Sequence, residues 1–319
     1  MKQMMMAMIP IFDVALYLLI YPAAILLKIV RRIGVQRLPF CKKALLHVGV
    51  FPIRNHFYEP LFDHRQLKNS LFQDRELPGI DFNVGAQLDL LNSFNYSEEL
   101  KKFPLDAKGE LSYFYKNGNF EFGDAEYWYS LIRIKKPRRI IEIGSGSSTL
   151  MAIAAVKKNQ QEMPSYKCDH ICIEPFGAPW LEKTGVSVVR KKVEDVGKDI
   201  FLDLKEDDIL FIDSSHIIRP QGDVLFEYLE LLPILNKGVI VHFHDIFSPK
   251  DYPENWVVNK VHFWNEQYLL EAFLTMNSDW EVICSLNYLR HHHFEELKSR
   301  CPFLTVSTEP GSFYIRKKN

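Results

Sequence analysis

The stretch Ile140–Thr149, IIEIGSGSST, runs an apolar strand through an acid and a two-glycine loop into a helix, which commits this part of the chain to a strand–turn–helix unit. Gly144 and Gly146 let the backbone turn sharply and lie close against a ligand, while Glu142 awaits a polar partner at the strand end. A dinucleotide loop carries a third glycine, G-x-G-x-x-G, so that a pyrophosphate can rest on the helix N-terminus. Thr149 stands at that place. The loop therefore suits a nucleoside ligand without a pyrophosphate better than NAD, and S-adenosylmethionine (SAM) is the leading expectation.

From Pro137 the pattern becomes regular. Strand-like runs at Arg139–Ile143, His170–Glu174, Ser187–Lys191, Asp208–Asp213 and Lys237–His244 alternate with helical stretches such as Ser148–Lys158 and Asp223–Leu235. Apolar strands alternating with helices predict a parallel α/β sheet covered on both faces. Two more runs, Trp280–Leu289 and Ser312–Arg316, follow a helix expected at about Phe263–Met276. With no long helix between them, the last strand is expected to enter antiparallel. Upstream, Gln87–Phe103 reads as one amphipathic helix. Tyr113–Tyr129 is unusually aromatic, and its Asn117-Gly118 predicts a hairpin, with Asp124 capping a helix that runs to about Ile134.

The 39 basic and 40 acidic residues nearly balance over 319 positions, so a general nucleic-acid footprint is absent. Five scattered cysteines read as a reducing compartment rather than a disulfide framework. Cys168 and Cys172 flank His170, but Cys172 sits in an apolar strand and no second pair has zinc spacing. The balance hides an asymmetry. Met4–Leu27 carries a single charge, Asp13, and is followed by Lys28, Arg31, Arg32, Arg37, Lys42, Lys43 and Arg54, with no acid before Glu59. An apolar segment with a basic flank is what an anionic bilayer surface would hold. Asp13, Pro10 and Pro22 favour an interfacial or re-entrant anchor over a straight span, because prolines interrupt a helix. Packing on the protein itself or on a second copy is the alternative to membrane contact through residues 4–32. A spanning segment would leave the C-terminal part in the cytoplasm. The expected organisation is an anchor over 1–35, a helical cap over 36–112 and the main domain over 113–319.

In an open parallel sheet, ligands bind at the carboxyl ends of the strands near the switch in strand order. Those ends carry Glu142 with Gly144-Ser145-Gly146, then Glu174, then Glu194-Asp195, then Asp213-Ser214-Ser215-His216, and finally His242-Phe243-His244-Asp245. Glu174 suits two ribose hydroxyls and Glu194 or Asp195 an adenine amine. Strand alternation puts His242 and His244 on one face, where one of them reads as a core histidine.

On IIEIGSGSST, CIEP, VEDV, ILFIDSSHIIRPQGD and GVIVHFHDIFSPKDYP, with DAEYWYS before them, the chain resembles the class I SAM-dependent methyltransferases, and among them methyltransferase domain family 24. The resemblance covers about Asp74 to Asn319 and leaves out the anchor. It implies a Rossmann-like fold, a seven-stranded mostly parallel sheet with its last strand antiparallel. SAM would lie at the first three strand ends and the acceptor over the fourth and fifth. Glu142, Gly144, Ser145 and Gly146 would hold the methionine end, Glu174 the ribose and Glu194 or Asp195 the adenine, with Asp124 counted on the cofactor side. Asp213, His216, His244 and Asp245 would carry the reaction, with His216 or His244 as base. Metal-dependent O-methyltransferases hold a divalent ion at the same strand ends, and Asp213, His244 and Asp245 are the corresponding set. A histidine there favours a transition metal over magnesium. The expected activity is O-methyl transfer to a small or lipid-linked acceptor at a membrane. The alternatives are an iron oxygenase using His242, His244, Asp213 and Asp245, and a non-catalytic nucleoside-binding membrane protein.

Overall fold

The computed structural model describes residues 2–109 and 111–319, with side chains from Ile9 onward except Ile11. Two compact units result, 1–69 and 70–319. The division falls inside the stretch read from sequence as a cap.

In the first unit, helix α1 (Lys2–Ile33) is followed by α2 (Pro39–Val48). Contrary to expectation, α1 continues through Pro10 and Pro22. Each proline removes only its own N–H, and a helix of 32 residues keeps the bonds on either side. Phe12–Ile33 is long and apolar enough to cross a membrane. The side chains of Met4–Met8, the start of the expected anchor, lie outside the described residues.

The second unit is built on seven strands: β1 (Arg139–Ile143), β2 (Asp169–Ile173), β3 (Ser187–Val189), β4 (Ile209–Ile212), β5 (Ile240–Phe243), β6 (Trp280–Ser285) and β7 (Phe313–Lys317). Their order in the sheet is β3-β2-β1-β4-β5-β7-β6. The pairs among β1 to β5 are parallel, and β7 runs antiparallel to both neighbours. This is the expected mostly parallel sheet with its last strand reversed, and the order switches between β1 and β4.

Helices cover both faces. They are α3 (Val84–Asn92), α4 (Ser97–Leu100), α5 (Asp124–Lys135), α6 (Ser147–Glu162), α7 (Asp199–Leu202), α8 (Asp223–Phe226), α9 (Glu266–Leu274), α10 (Leu286–His292) and α11 (Phe294–Arg300). Alternation along the strands splits the core in two. Ile140, Ile209, Phe211, Ile240 and Tyr314 join α5 and α6 on one face, while Ile141, Leu210, Ile212, Val241 and Ile315 join α8 and α9 on the other.

Three local expectations change. Gln87–Phe103 is two helices, because Ser93 Oγ donates back to the Leu90 carbonyl and Phe94 turns inward against Tyr127. The hairpin at Tyr113–Tyr129 is absent. The Asn117 side chain takes the turn bonds itself, donating to the carbonyls of Phe114 and Phe120 and accepting from the N–H groups of Asn119 and Phe120. Buried Tyr113, Tyr115 and Phe120 then pack as an irregular aromatic layer. The expected strand Trp280–Leu289 ends at Ser285 and continues as α10.

Trp128 fixes the placement of α5. It is fully buried, and its indole N–H donates to the Ser148 carbonyl at the start of α6. Trp128→Ala is expected to destabilise the unit by about 3–5 kcal/mol in chemical denaturation, whereas Trp128→Phe retains most of the packing and loses about 1 kcal/mol.

Candidate active site

The ends of β1 and β4 meet at a single close approach. Gly144 has φ 77°, and a Cβ built on it would lie 2.0 Å from the Asp213 carbonyl oxygen. The ladder leads directly into this point, since Gly144 N–H donates to the Ile173 carbonyl and Asp213 N–H to that of Ile143. Only glycine fits there.

Glu142 lies behind the loop. Fully buried, it accepts from Ser148 Oγ at 2.8 Å and Thr149 Oγ1 at 2.9 Å, while His170 Nε2 lies 2.5 Å from its other oxygen. Thr149, in the place of the third dinucleotide glycine, also accepts from Gly146 N–H. Glu142 thus braces the loop from within. Burial works against a charged ring at His170, but its contacts to Cys172 and Glu142 outweigh this and raise it to about 10.

Beyond β2, Glu174 accepts from the N–H groups of Phe176 and Gly177 with one oxygen and from Ser145 N–H at 3.3 Å with the other. A cavity of about 230 Å³ is lined by Gly144, Glu174, Glu194, Asp213, Ser214 and Ser215, among others. Asp195 faces a different groove, shared with Gly197, Lys198 and Gln221. Ser145 Oγ is buried with no hydrogen-bond partner.

The fourth and fifth strand ends converge next to this cavity. His216 Nε2 is 3.3 Å from Asp213 and 3.6 Å from Asp245, and Nδ1 is 2.8 Å from Glu266. His244 Nδ1 lies 3.4 Å from Asp245 and 3.6 Å from Asp213, with no hydrogen-bond partner, and Nε2 is 3.9 Å from Asp124. His216 and Asp245 both have positive φ, 59° and 61°, a conformation that side-chain-bearing residues adopt at a price and that clusters at functional sites. Burial disfavours charge on these groups, yet opposite charges dominate, the carboxylates acting on the two histidines and the two imidazoles on Asp213. His216 is driven well above its ordinary value, His244 is raised to about 10, and Asp213 is held well below the usual carboxylate range. Asp245 is pushed up to about 6 by burial.

The expected residues therefore sort into two groups. Gly144, Glu174 and Glu194 share the cavity, with Ser145 and Gly146 in the loop at its edge. Asp213 belongs to both groups. His216, His244 and Asp245 form the second, and Asp124 joins it beside His244, accepting from the N–H groups of Gly311 and Ser312 rather than capping α5. His242 is the core member of its pair, bonded to Ser312 Oγ and stacked on Tyr314.

A family model described as a methyltransferase domain, the family numbered 24, matches residues 141–246. An uncharacterized protein of Archaeoglobus fulgidus is 30% identical over 186 residues, covering 54% of this chain and 80% of its own length. The chain belongs to the class I SAM-dependent methyltransferases. Similar solved structures include the O-methyltransferase from Bacillus cereus in complex with SAH, with 12% identity over 73% of this chain and 91% of that one at a TM-score of 0.36. Another is a methyltransferase from Geobacter sulfurreducens, with 13% identity, 75% and 98% coverage and a TM-score of 0.34.

Two residues of the methyltransferase's site escaped the sequence reading. Glu266 opens α9, 50 residues after the His216 it orients, and Trp264 packs on the His216 ring at 4.2 Å. Their only sequence signal is the aromatic run VHFWNEQY, which has no motif spacing.

The brace behind the loop has a pH signature. Because His170 is raised above its unfolded value, its pair with Glu142 stabilises fully below pH about 6.5 and is lost as pH climbs towards about 10. His170→Leu, which strands a buried carboxylate, is expected to cost about 3 kcal/mol near pH 6. In denaturation series of both proteins the difference should shrink towards pH 10; a constant difference would mean that the ring packs uncharged.

Proposed function

We propose that this enzyme transfers a methyl group from SAM to an oxygen of a small or lipid-linked acceptor, with the acceptor at the Asp213–His216–His244–Asp245 cluster and a divalent cation held there. The observation that carries this reading is the adjacency of two differently built sites, joined at Gly144 and Asp213.

The residues fit a nucleoside donor. Glu174 is already aimed by three backbone N–H groups, Glu194 lines the same cavity, and the unpartnered Ser145 Oγ offers a hydrogen bond to the amino-acid end. SAM supplies an electrophilic methyl carbon on a sulfonium centre. The protein's part is to align the acceptor and remove its proton. With His216 turned to the cation, His244 is the base this geometry leaves free, its Nδ1 buried without a hydrogen-bond partner beside Asp213 and Asp245. Glu266 fixes the Nδ1 of His216, leaving that ring's Nε2 directed at the cluster as a ligand, and Trp264 holds the ring plane.

A cation suits the same place. Asp213, His216 and Asp245 bring one ligand atom each within 4.8 Å of one another, and the unpartnered His244 Nδ1 adjoins both carboxylates. His216 thus takes the place of His244 in the expected set of Asp213, His244 and Asp245. The Glu266–His216 bond is the outer carboxylate that commonly orients a metal-bound imidazole. Mixed nitrogen and oxygen donors favour manganese, iron or zinc over magnesium. Bound there, the cation would supply charge to lower the acceptor's pKa and orient its oxygen. A second buried group, Glu142, His170 and Cys172, also has metal-like spacing, but its carboxylate is committed to Ser148, Thr149 and the His170 ring.

The membrane setting rests on α1, whose span from Phe12 to Ile33 exposes Leu18, Leu19 and Leu26 among others. We infer that this helix anchors the enzyme at a bilayer with the catalytic unit on the cytoplasmic side, in keeping with the basic residues that follow it.

Calorimetry with S-adenosylhomocysteine should show saturable binding by the wild type. Glu174→Ala should weaken it roughly tenfold to a hundredfold, the worth of charged hydrogen bonds. No binding by folded wild-type protein would overturn the donor assignment. His216→Ala should leave this binding within about threefold while abolishing stoichiometric manganese uptake and lowering turnover at least about a hundredfold. Full metal uptake by that variant would contradict the assigned cluster.

A further inference from the structure

The catalytic cluster leaves unused the basic residues of the first unit, and these enclose a cavity. About 550 Å³ in volume, it is walled by Lys28, Arg31 and Arg32 from the last turns of α1 and by Arg54 and His56 from the segment after α2. Leu27 and Leu61 add apolar carbon. Four permanent cations thus face one space, and the acid that meets them is Glu59, which binds Arg31 Nη2 at 2.9 Å and Arg54 Nε at 2.8 Å. Glu59 also accepts from Arg54 N–H, so it sets the positions of both guanidinium groups without neutralising the cluster. Arg31 Nε is buried with no hydrogen-bond partner, and the guanidinium lies over the Phe51 ring. Lys28 and Arg32 make no ion pair among the described residues.

A preset fork of N–H donors with a surplus of positive charge is complementary to a phosphate. The surroundings say where that phosphate comes from. The cavity closes the C-terminal end of the apolar span Phe12–Ile33, and Phe57 and Tyr58 beside His56 are 81% and 82% exposed. Exposed aromatic rings next to an apolar span mark the depth of lipid headgroups. We propose that this cavity is a binding site for the phosphate of an anionic phospholipid headgroup. The inference deepens the membrane reading above and rests on it.

Flotation of the full chain with three preparations tests it: phosphatidylcholine vesicles, vesicles doped with phosphatidylglycerol, and doped vesicles in inorganic phosphate at matched ionic strength. The chain should float with phosphatidylcholine through α1 and bind the doped vesicles at least about tenfold more tightly, with little competition from phosphate. The double variant Lys28→Gln/Arg32→Gln should lose that gain. Lys42→Gln/Lys43→Gln removes the same charge from α2 outside the cavity and should keep most of it.

Equal losses from the two double variants would overturn the cavity, because diffuse attraction counts charges and not positions. Binding to phosphatidylcholine with no gain from phosphatidylglycerol would overturn it while leaving the anchor standing. Displacement by inorganic phosphate would assign the cavity to a soluble phosphate instead. Failure to float with any vesicle would remove the membrane reading itself and the lipid source with it.

Discussion

The second unit depends on the contact between the Gly144 backbone and the Asp213 carbonyl. The sheet's parallel register delivers β1 and β4 side by side, with Gly144 N–H bonded to β2 and Asp213 N–H bonded to β1. At that point no side chain fits between the strands. The loop proposed to hold the donor and the edge proposed to carry the reaction are therefore one backbone junction seen from two sides. Glu142 secures it from below through Ser148, Thr149 and His170, and Glu174 reaches over it to Ser145.

Electrostatics separate the two halves. In the donor half, carboxylates are satisfied by backbone N–H groups or lie at the edge of a cavity, which suits hydroxyl and amine recognition. In the reaction half, Asp124, Asp213, Asp245 and Glu266 surround two imidazoles, and the buried surplus of negative charge calls for protons or a cation. The same demand raises both histidines and motivates the cation proposed there. The match to the methyltransferase domain family favours methyl transfer among the sequence alternatives over an oxygenase or a non-catalytic protein.

Much of this was legible in the chain because the sheet is parallel and doubly covered. Each apolar run ends where a polar cluster begins, so the order Glu142, Glu174, Glu194, Asp213, His244 could be read as a list of strand ends. Partners contributed from far along the chain carried no such mark. Glu266 reaches His216 across 50 residues, and Ser312 pairs with His242 across 70, both through the sheet topology rather than any local spacing. Asp124 was misplaced for the same reason. Its carboxylate bonds to backbone at Gly311 and Ser312, which only the docking of the loop before β7 reveals. The Asn117-Gly118 turn and the prolines of α1 mislead differently: a local rule was right about tendency, but a side chain that bonds its own backbone and a long run of helix bonds prevailed.

Hydrogen exchange of the full enzyme with and without S-adenosylhomocysteine tests the junction most directly. Protection concentrated at 144–149, 174–178, 193–195 and 213–216, with the rest of the sheet unchanged, is the expected result. Protection absent from 144–149 and 213–216, or centred away from these strand ends, would contradict a donor site built on the contact between Gly144 and Asp213.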